Sequence, residues 1–235
     1  MALTDLRSVP LLFGVNEIAI AVSQSEVGDG HIGICFFTPK DGPKVMHLAW
    51  HERLKVHAIP TELNLCWAGA VLGIPPAASK ATVGIVRAVA ARRATIRYDL
   101  NFVAAYGSFS PTGKFKPPKG SNGLTCASFI VEVLRAAMVD LVRDNTWRSD
   151  AANIAWGHRV CDVLTEKGAD ADHVAAVRKS INGLRIRPFE VAGAARLGPD
   201  SWPADFDAVQ DPAMEVRTDL DAVCPPLPAG AAQET

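Results

Sequence analysis

The feature that most constrains the fold is a pair of short apolar segments joined by a tight turn. GHIGICFF (30–37) and VMHLAW (45–50) flank the sequence TPKDGPK (38–44). Apolar runs rich in β-branched and aromatic residues on both sides of a turn containing Pro and Gly are typical of a β-hairpin. With the turn centred between residues 39 and 40, antiparallel pairing places His31 opposite position 48. Because that position is next to His47, the two histidines are predicted to be neighbours.

The remaining segments predict an α+β fold. Further strands are predicted at VNEIAIAV (15–22) and KVHAIP (55–60), which are short and bounded by turn signals. Helical spacing of apolar residues predicts helices over 62–73, from Ser79 onward, over 124–142, and once or twice within 150–182. Beyond Pro188 the chain is rich in Pro, Asp and Ala, and residues 225–235 are predicted to be a disordered tail.

Composition excludes several classes of protein. The formal net charge of the 235 residues is -1, so no overall field attracts nucleic acid. Asn16 and Glu17 interrupt the apolar N-terminal run, which predicts no stable membrane insertion. Five cysteines without regular spacing favour a reducing compartment, and the predicted location is cytoplasmic. Cys35, Cys66, Cys161 and Cys224 are each expected to be small buried hydrophobic residues. The composition indicates no particular oligomeric state.

Cys126 is the candidate nucleophile. It lies in the first turn of the helix predicted over 124–142, where the helix dipole and unpaired backbone N–H groups favour thiolate over thiol. The pKa of Cys126 is therefore expected to lie below that of a free cysteine. If the hairpin packs beside this helix start, Cys126, His31 and His47 supply a nucleophile, a base and a second imidazole that orients the base.

A metal site is an alternative use of the same three side chains. Their spacing matches no compact ligand signature such as a close pair of Cys or His residues, so neither a metal nor another cofactor is predicted. His51 and His57 lie in the same region and are expected to have structural roles.

These segments resemble a known family. GHIGICFF, VMHLAW and the later LTCASFIVEVL (124–134) are similar to the circularly permuted papain-like hydrolases related to NlpC, and to their lecithin retinol acyltransferase-like branch. RYDLNF (97–102) resembles a Y-D-x-x-F segment that bacterial members carry before the cysteine. The likeness covers roughly residues 15–142. Two departures are the alanine after Cys126, where a polar residue is usual, and the lack of a visible C-terminal membrane anchor.

The resemblance implies a fold, a mechanism and a set of site residues. The fold is α+β and permuted papain-like, with an antiparallel sheet packed against the nucleophile helix and additional C-terminal helices. Residues 1–150 are expected to form the catalytic domain, and residues 151–224 a helical and irregular extension packed on it. The implied mechanism is a Cys126 thioester, with His31 as base and His47 as orienter. The expected substrate-binding residues are Tyr98, Gly33, Lys116 and Thr125.

Three functions remain open at this point. The first is a cysteine-dependent hydrolase, a peptidase or amidase that acts on an amide or isopeptide bond in a peptide or protein conjugate. The second is an acyltransferase or lipid esterase that uses the same thioester with an acyl substrate. The third is a catalytically inactive binding module whose contact surface is KFKPPK, Lys114 to Lys119. Residues 107–123, which contain this segment, are predicted to form a mobile loop at the mouth of the cleft.

Overall fold

The computed structural model describes residues 2–8, 13–25, 29–63 and 65–225, which form an antiparallel sheet packed against helices. Six strands pair in the order β1-β6-β2-β3-β4-β5, and each neighbouring pair is antiparallel. They are β1 (Thr4–Asp5), β2 (Ala19–Ser23), β3 (His31–Thr38), β4 (Gly42–Trp50), β5 (Arg53–Ala58) and β6 (Trp67–Val71). The predicted α+β class is confirmed for the described part of the chain.

β6 occupies a stretch for which the sequence predicts a helix. It pairs on both sides, with β1 and with β2, and its residues are buried except for the partly buried Val71. A short apolar run in the interior of a sheet has no alternating pattern, so periodicity does not distinguish it from a buried helix. The helix prediction for 62–73 is wrong for this reason.

Six helices lie within the described residues. They are α1 (Pro76–Arg92), α2 (Cys126–Ala136), α3 (Ala151–Glu166), α4 (Ala171–Ser180), α5 (Pro188–Leu197) and α6 (Phe206–Val223). The predicted helices after Ser79 and within 150–182 are present. α2 ends at Ala136, short of the predicted end at residue 142. Two residues after this end, Met138 has a left-handed backbone conformation with a φ of 63°, which ends the helical path.

The two faces of the sheet have different partners. Ile32, Ile34 and Phe36 of β3 share the main core with α1 and α2. The other face has its own apolar cluster, formed by Leu6, Phe13, Ala19, Ala21, Cys35, Val45 and Trp67. Because successive side chains of a strand point to opposite faces, His31 begins on the side of this second cluster.

The chain after residue 150 is part of the same body. Buried residues of α5 and α6, such as Val191 and Leu220, belong to the main core together with the sheet. Trp156 of α3 and Val177 of α4 form a smaller cluster with Tyr98 and Leu100. The predicted disordered tail, apart from residue 225, lies outside the described residues.

Two of the cysteines are bonded to each other. Cys66 and Cys224 form a disulfide with a Cα–Cα distance of 5.6 Å, whereas Cys35, Cys126 and Cys161 are free and buried. The expectation of unbonded hydrophobic residues is therefore wrong for Cys66 and Cys224. Cysteine usage no longer favours a reducing compartment, since disulfides persist mainly in oxidising ones. None of the described helices combines the length and the apolar character needed to cross a membrane.

Candidate active site

β3 and β4 bring the two predicted histidines into direct contact. His31 Nε2 and His47 Nδ1 are 2.6 Å apart. The strands pair with Ile34 opposite Met46 and Thr38 opposite Gly42, so the turn is centred on residue 40, half a residue from the predicted position. Moving the centre of the turn by half a residue shifts the strand pairing by one residue. Such a shift moves a side chain to the other face relative to its partner strand. The observed register places both imidazoles on the same face, whereas the predicted one would have separated them.

Trp67 of β6 packs against both imidazoles. Its ring centroid lies 5.5 Å from that of His31 and 5.0 Å from that of His47. A Cβ atom at Gly33 would lie 2.8 Å from Val45 Cγ2 and 3.3 Å from Trp67 Cζ3. Gly33, predicted to bind substrate, thus leaves room for the ring that packs on the histidines.

His57 extends the histidine row on the same face. Its ring stacks on that of His47 with centroids 5.3 Å apart, as expected for a residue of β5 that lies opposite Val45. Burial lowers the pKa of both His47 and His57, and the neighbouring Lys55 charge lowers them further. The row is therefore neutral at neutral pH.

Cys126 is held at the first position of α2 by a local capping arrangement. The Thr125 side chain accepts a hydrogen bond from the Ser128 N–H, and Ser128 Oγ accepts one from the Thr125 N–H. The preceding segment is paired with 97–99: the Leu124 N–H donates to the Arg97 carbonyl. Thr125, predicted to bind substrate, has a hydroxyl that is engaged in this cap.

The Cys126 sulfur lies beside the first peptide of β3. The backbone N–H groups of Ile32, Ala127 and Cys126 itself are close enough to the sulfur to lower the pKa of the thiol. The N–H of Ile32 belongs to the peptide that joins it to His31, so the sulfur lies near the first residues of β3. The Ile32 side chain faces the main core that contains Cys126, whereas the His31 side chain is on the other face of the sheet. Among the described residues, neither histidine makes a hydrogen bond to this sulfur.

Electrostatics favour the neutral forms of both groups. Burial raises the pKa of Cys126 to about 11, although the Arg185 charge and the three N–H groups oppose this. Burial likewise lowers the pKa of His31 to about 4. The expectation that the helix start depresses the pKa of Cys126 is wrong in direction, because the thiol is buried and desolvation outweighs the helix-start effects.

Tyr98, predicted to bind substrate, lies within electrostatic reach of Cys126. Its ring is buried and packs at a tilt against Trp50, with centroids 4.9 Å apart. Burial raises the pKa of the Tyr98 hydroxyl, whereas the positive charge of Arg185 lowers it. Two histidines hold its backbone: the Tyr98 N–H donates to His51 Nδ1, and the Tyr98 carbonyl lies 3.0 Å from His173 Nε2. The structural role expected for His51 agrees with this contact.

Arg185 was not predicted as a site residue. It is 7% exposed, its guanidinium lies 3.3 Å from the Trp156 ring centroid, and its Nη1 donates to Asp29 Oδ2 at 2.7 Å. Of the effects that lower the pKa of Cys126, its charge is the largest. Asp29 precedes His31 by two residues. No local pattern in the sequence marks Arg185, because it reaches the site only through tertiary packing.

Among the described residues, no hydrogen bond or ion pair joins Lys116 to Cys126, His31 or His47, and its N–H donates to the Ser108 carbonyl. Lys116 is exposed on a loop in which Phe109 packs on Phe129 of α2 and pairs with Phe115. The Gly107 and Ser108 N–H groups donate to the buried Glu132 carboxylate of α2. The loop predicted to be mobile is thus attached along α2, beyond the turn that carries Cys126.

Among the described residues, no group of three or more His, Cys, Asp or Glu side chains has the arrangement of a metal site. Comparisons with protein-family models, curated proteins and solved structures found no match to this chain.

Proposed function

We propose that the protein is a thiol hydrolase on a permuted papain-like fold, cleaving an amide or isopeptide bond through a Cys126 thioester. The observation that carries the proposal is the 2.6 Å contact between His31 Nε2 and His47 Nδ1, at the strand end where the Cys126 sulfur lies. With its proton on Nε2, His31 donates to His47 and keeps Nδ1 as a free acceptor. That is the tautomer a base for Cys126 requires.

The chemistry uses these groups in order. As Cys126 sulfur attacks the substrate carbonyl, its proton moves to His31 Nδ1, and the new imidazolium is stabilised by the bond from Nε2–H to His47. The N–H groups of Cys126 and Ala127 stabilise the oxyanion. His31 then protonates the leaving amine, leaving a thioester that water hydrolyses, which releases the acid and restores the thiol. Since both groups are neutral at rest, proton transfer accompanies attack rather than preceding it.

An acyltransferase or esterase would differ only in the group that accepts the acyl chain. The same thioester would form, and an amine or alcohol would replace water in the second step. An inactive binding module would form no thioester at all. The three possibilities are therefore separated by trapping the acyl enzyme and then supplying acceptors.

The test uses p-nitrophenyl acetate as a general acyl donor. Wild-type protein should release a burst of nitrophenolate and carry an acetyl group on Cys126, mapped by mass spectrometry. Cys126→Ser should abolish the burst, and His31→Ala should slow it by about 100-fold or more. His47→Ala should cost about 10- to 100-fold, because His47 acts through orientation of His31.

Cys161→Ala is the matched control, since Cys161 is a free buried cysteine in a different cluster, and it should leave the burst unchanged. Faster release on adding an amine or alcohol would identify an acyltransferase. Absence of any Cys126 adduct in folded wild-type protein would refute the catalytic proposal and favour the binding module.

The cytoplasmic location stays a prediction, and the Cys66–Cys224 disulfide argues against it. Peptide, protein-conjugate or acyl substrates stay proposals for the same site.

A further inference from the structure

The guanidinium of Arg185 differs from the other arginines because it is buried within electrostatic reach of the proposed nucleophile. Its side chain comes from the segment between α4 and α5, outside the part of the chain that resembles known hydrolases. A buried arginine stays charged, so its charge must be stabilised by partner groups or must interact with a ligand. Three observations indicate which groups of the guanidinium are engaged.

Trp156 covers a flat face of the guanidinium. The distance of 3.3 Å from the Arg185 Cζ to the ring centroid is that of a stacked cation–π contact. Stacking on the plane leaves the N–H groups at its edges free to bond. Trp156 therefore fixes the orientation of Arg185 without using its donors.

Asp29 binds only one of the three nitrogens that form the guanidinium fork of Arg185. It accepts from Nη1 at 2.7 Å, and its own side chain is 34% exposed. The edge formed by Nε and Nη2 has no acceptor among the described residues. Two parallel N–H groups on one edge match a carboxylate, which binds such a fork in bidentate fashion.

The position of that edge gives it a role in the reaction. Arg185 is close enough to act electrostatically on both the Cys126 thiol and the Tyr98 hydroxyl. Its partner Asp29 is separated from His31 by Gly30 alone. Arg185 is thus within electrostatic reach of two proposed site residues, and its partner Asp29 lies two positions before the third.

We propose that Arg185 binds a carboxylate of the substrate beside the scissile carbonyl, which makes acyl groups carrying a nearby negative charge the preferred substrate class. This inference rests on the proposed Cys126 chemistry. Asp29 limits the fork to a single carboxylate and holds the guanidinium in place when no substrate is bound.

Two alkylating reagents of nearly equal size test the inference without a known substrate. Iodoacetate carries a carboxylate and iodoacetamide the neutral amide, and the rate of each at Cys126 is followed by mass spectrometry at mildly alkaline pH. We expect the iodoacetate-to-iodoacetamide rate ratio at Cys126 to exceed that of free cysteine. Arg185→Met should lower the ratio about tenfold or more, as expected when a charged hydrogen bond is lost. Arg185→Lys should keep part of it, and Asp29→Asn should raise it.

Arg148→Met is the matched control, because Arg148 also lies over an aromatic ring, that of Phe206, and pairs with an aspartate, Asp207. It should leave the ratio unchanged. A second measurement needs no variant: N-acetylglycine should protect wild-type Cys126 from iodoacetamide at lower concentration than N-acetylglycinamide does.

An unchanged ratio in folded Arg185→Met, or equal effects of the two N-acetyl compounds on the wild type, would overturn the inference while leaving the nucleophile intact. Failure of both reagents to label Cys126 would instead refute the proposed function, and the inference with it.

Discussion

At the scale of single residues, the candidate site keeps its nucleophile and base neutral. The Cys126 thiol is buried and the His31 imidazole is partly buried. Burial moves their pKa values to about 11 and about 4 respectively. With the thiol pKa so far above that of the imidazole, an ion pair is unfavourable before substrate binds. His47 supports this state, because its neutral Nδ1 can accept a hydrogen bond from His31 Nε2–H and it carries no positive charge that would stabilise a thiolate.

This state predicts the pH dependence of Cys126 alkylation. At pH 7 a thiol with a pKa of about 11 is ionised in about one molecule in ten thousand. The rate of iodoacetamide labelling at Cys126 should therefore rise about tenfold per pH unit from pH 7 to about pH 10, where free cysteine already levels off. Mass-resolved labelling of the folded protein across this range measures it. A plateau below about pH 8 would mean that the thiolate is stabilised far more than burial allows.

At the scale of elements, α2 both presents Cys126 and anchors the adjoining loop. Glu132 is buried two turns below Cys126 and accepts hydrogen bonds from the N–H groups of Gly107 and Ser108. It also pairs with Arg135, over which the Tyr106 ring lies at 4.4 Å. Burial raises the pKa of Glu132 to about 7, and Arg135 opposes this shift. One carboxylate thus joins the helix to the loop that the sequence predicted to be mobile.

Removing this carboxylate should destabilise the fold. Glu132→Ala would leave two loop N–H groups without their acceptor and remove one of the three carboxylates that pair with Arg135, which should lower the free energy of unfolding by about 3 kcal/mol. Urea denaturation measures the change. Glu166→Ala, at an exposed position near the end of α3, should change it by less than about 0.5 kcal/mol. Equal effects of the two substitutions would indicate that the loop is not held by Glu132.

Elements with a clear local pattern were predictable, and those that depend on tertiary contacts were not. The hairpin, α1 and the start of α2 follow from periodicity and turn residues. The hairpin predicted that His31 and His47 are close, but only the observed register puts both on the same face. β6 was assigned to a helix, since its pairing on both sides removes the alternation that marks a strand. Arg185 and Trp67 reach the site across long sequence separations, 156 residues in the case of Arg185 and Asp29. No local rule connects such positions.

At the scale of the whole molecule, the C-terminal helices complete the core that supports the site. α5 packs on α2, β2 and β3, and α6 packs on α5. The disulfide joins the end of α6 to Cys66, the residue that precedes Trp67. Trp67, whose ring packs against both imidazoles, therefore directly follows a cysteine that is bonded to the end of α6. Residues after 150 belong to the same folded unit as the site.

The disulfide should contribute strongly to stability, and its presence should be detectable by counting free thiols. Cys66 and Cys224 are 158 residues apart, and closing so long a loop restricts the unfolded chain by an amount worth about 3–5 kcal/mol. The Cys66→Ser/Cys224→Ser double variant should lose stability of this size in urea denaturation, and a reducing agent should destabilise wild-type protein but not the variant. Thiol titration of unreduced, denatured wild-type protein should find the three free cysteines. A titration that finds all five, together with no effect of reductant on the wild type, would show that the bond does not form and would remove the argument for an oxidising compartment.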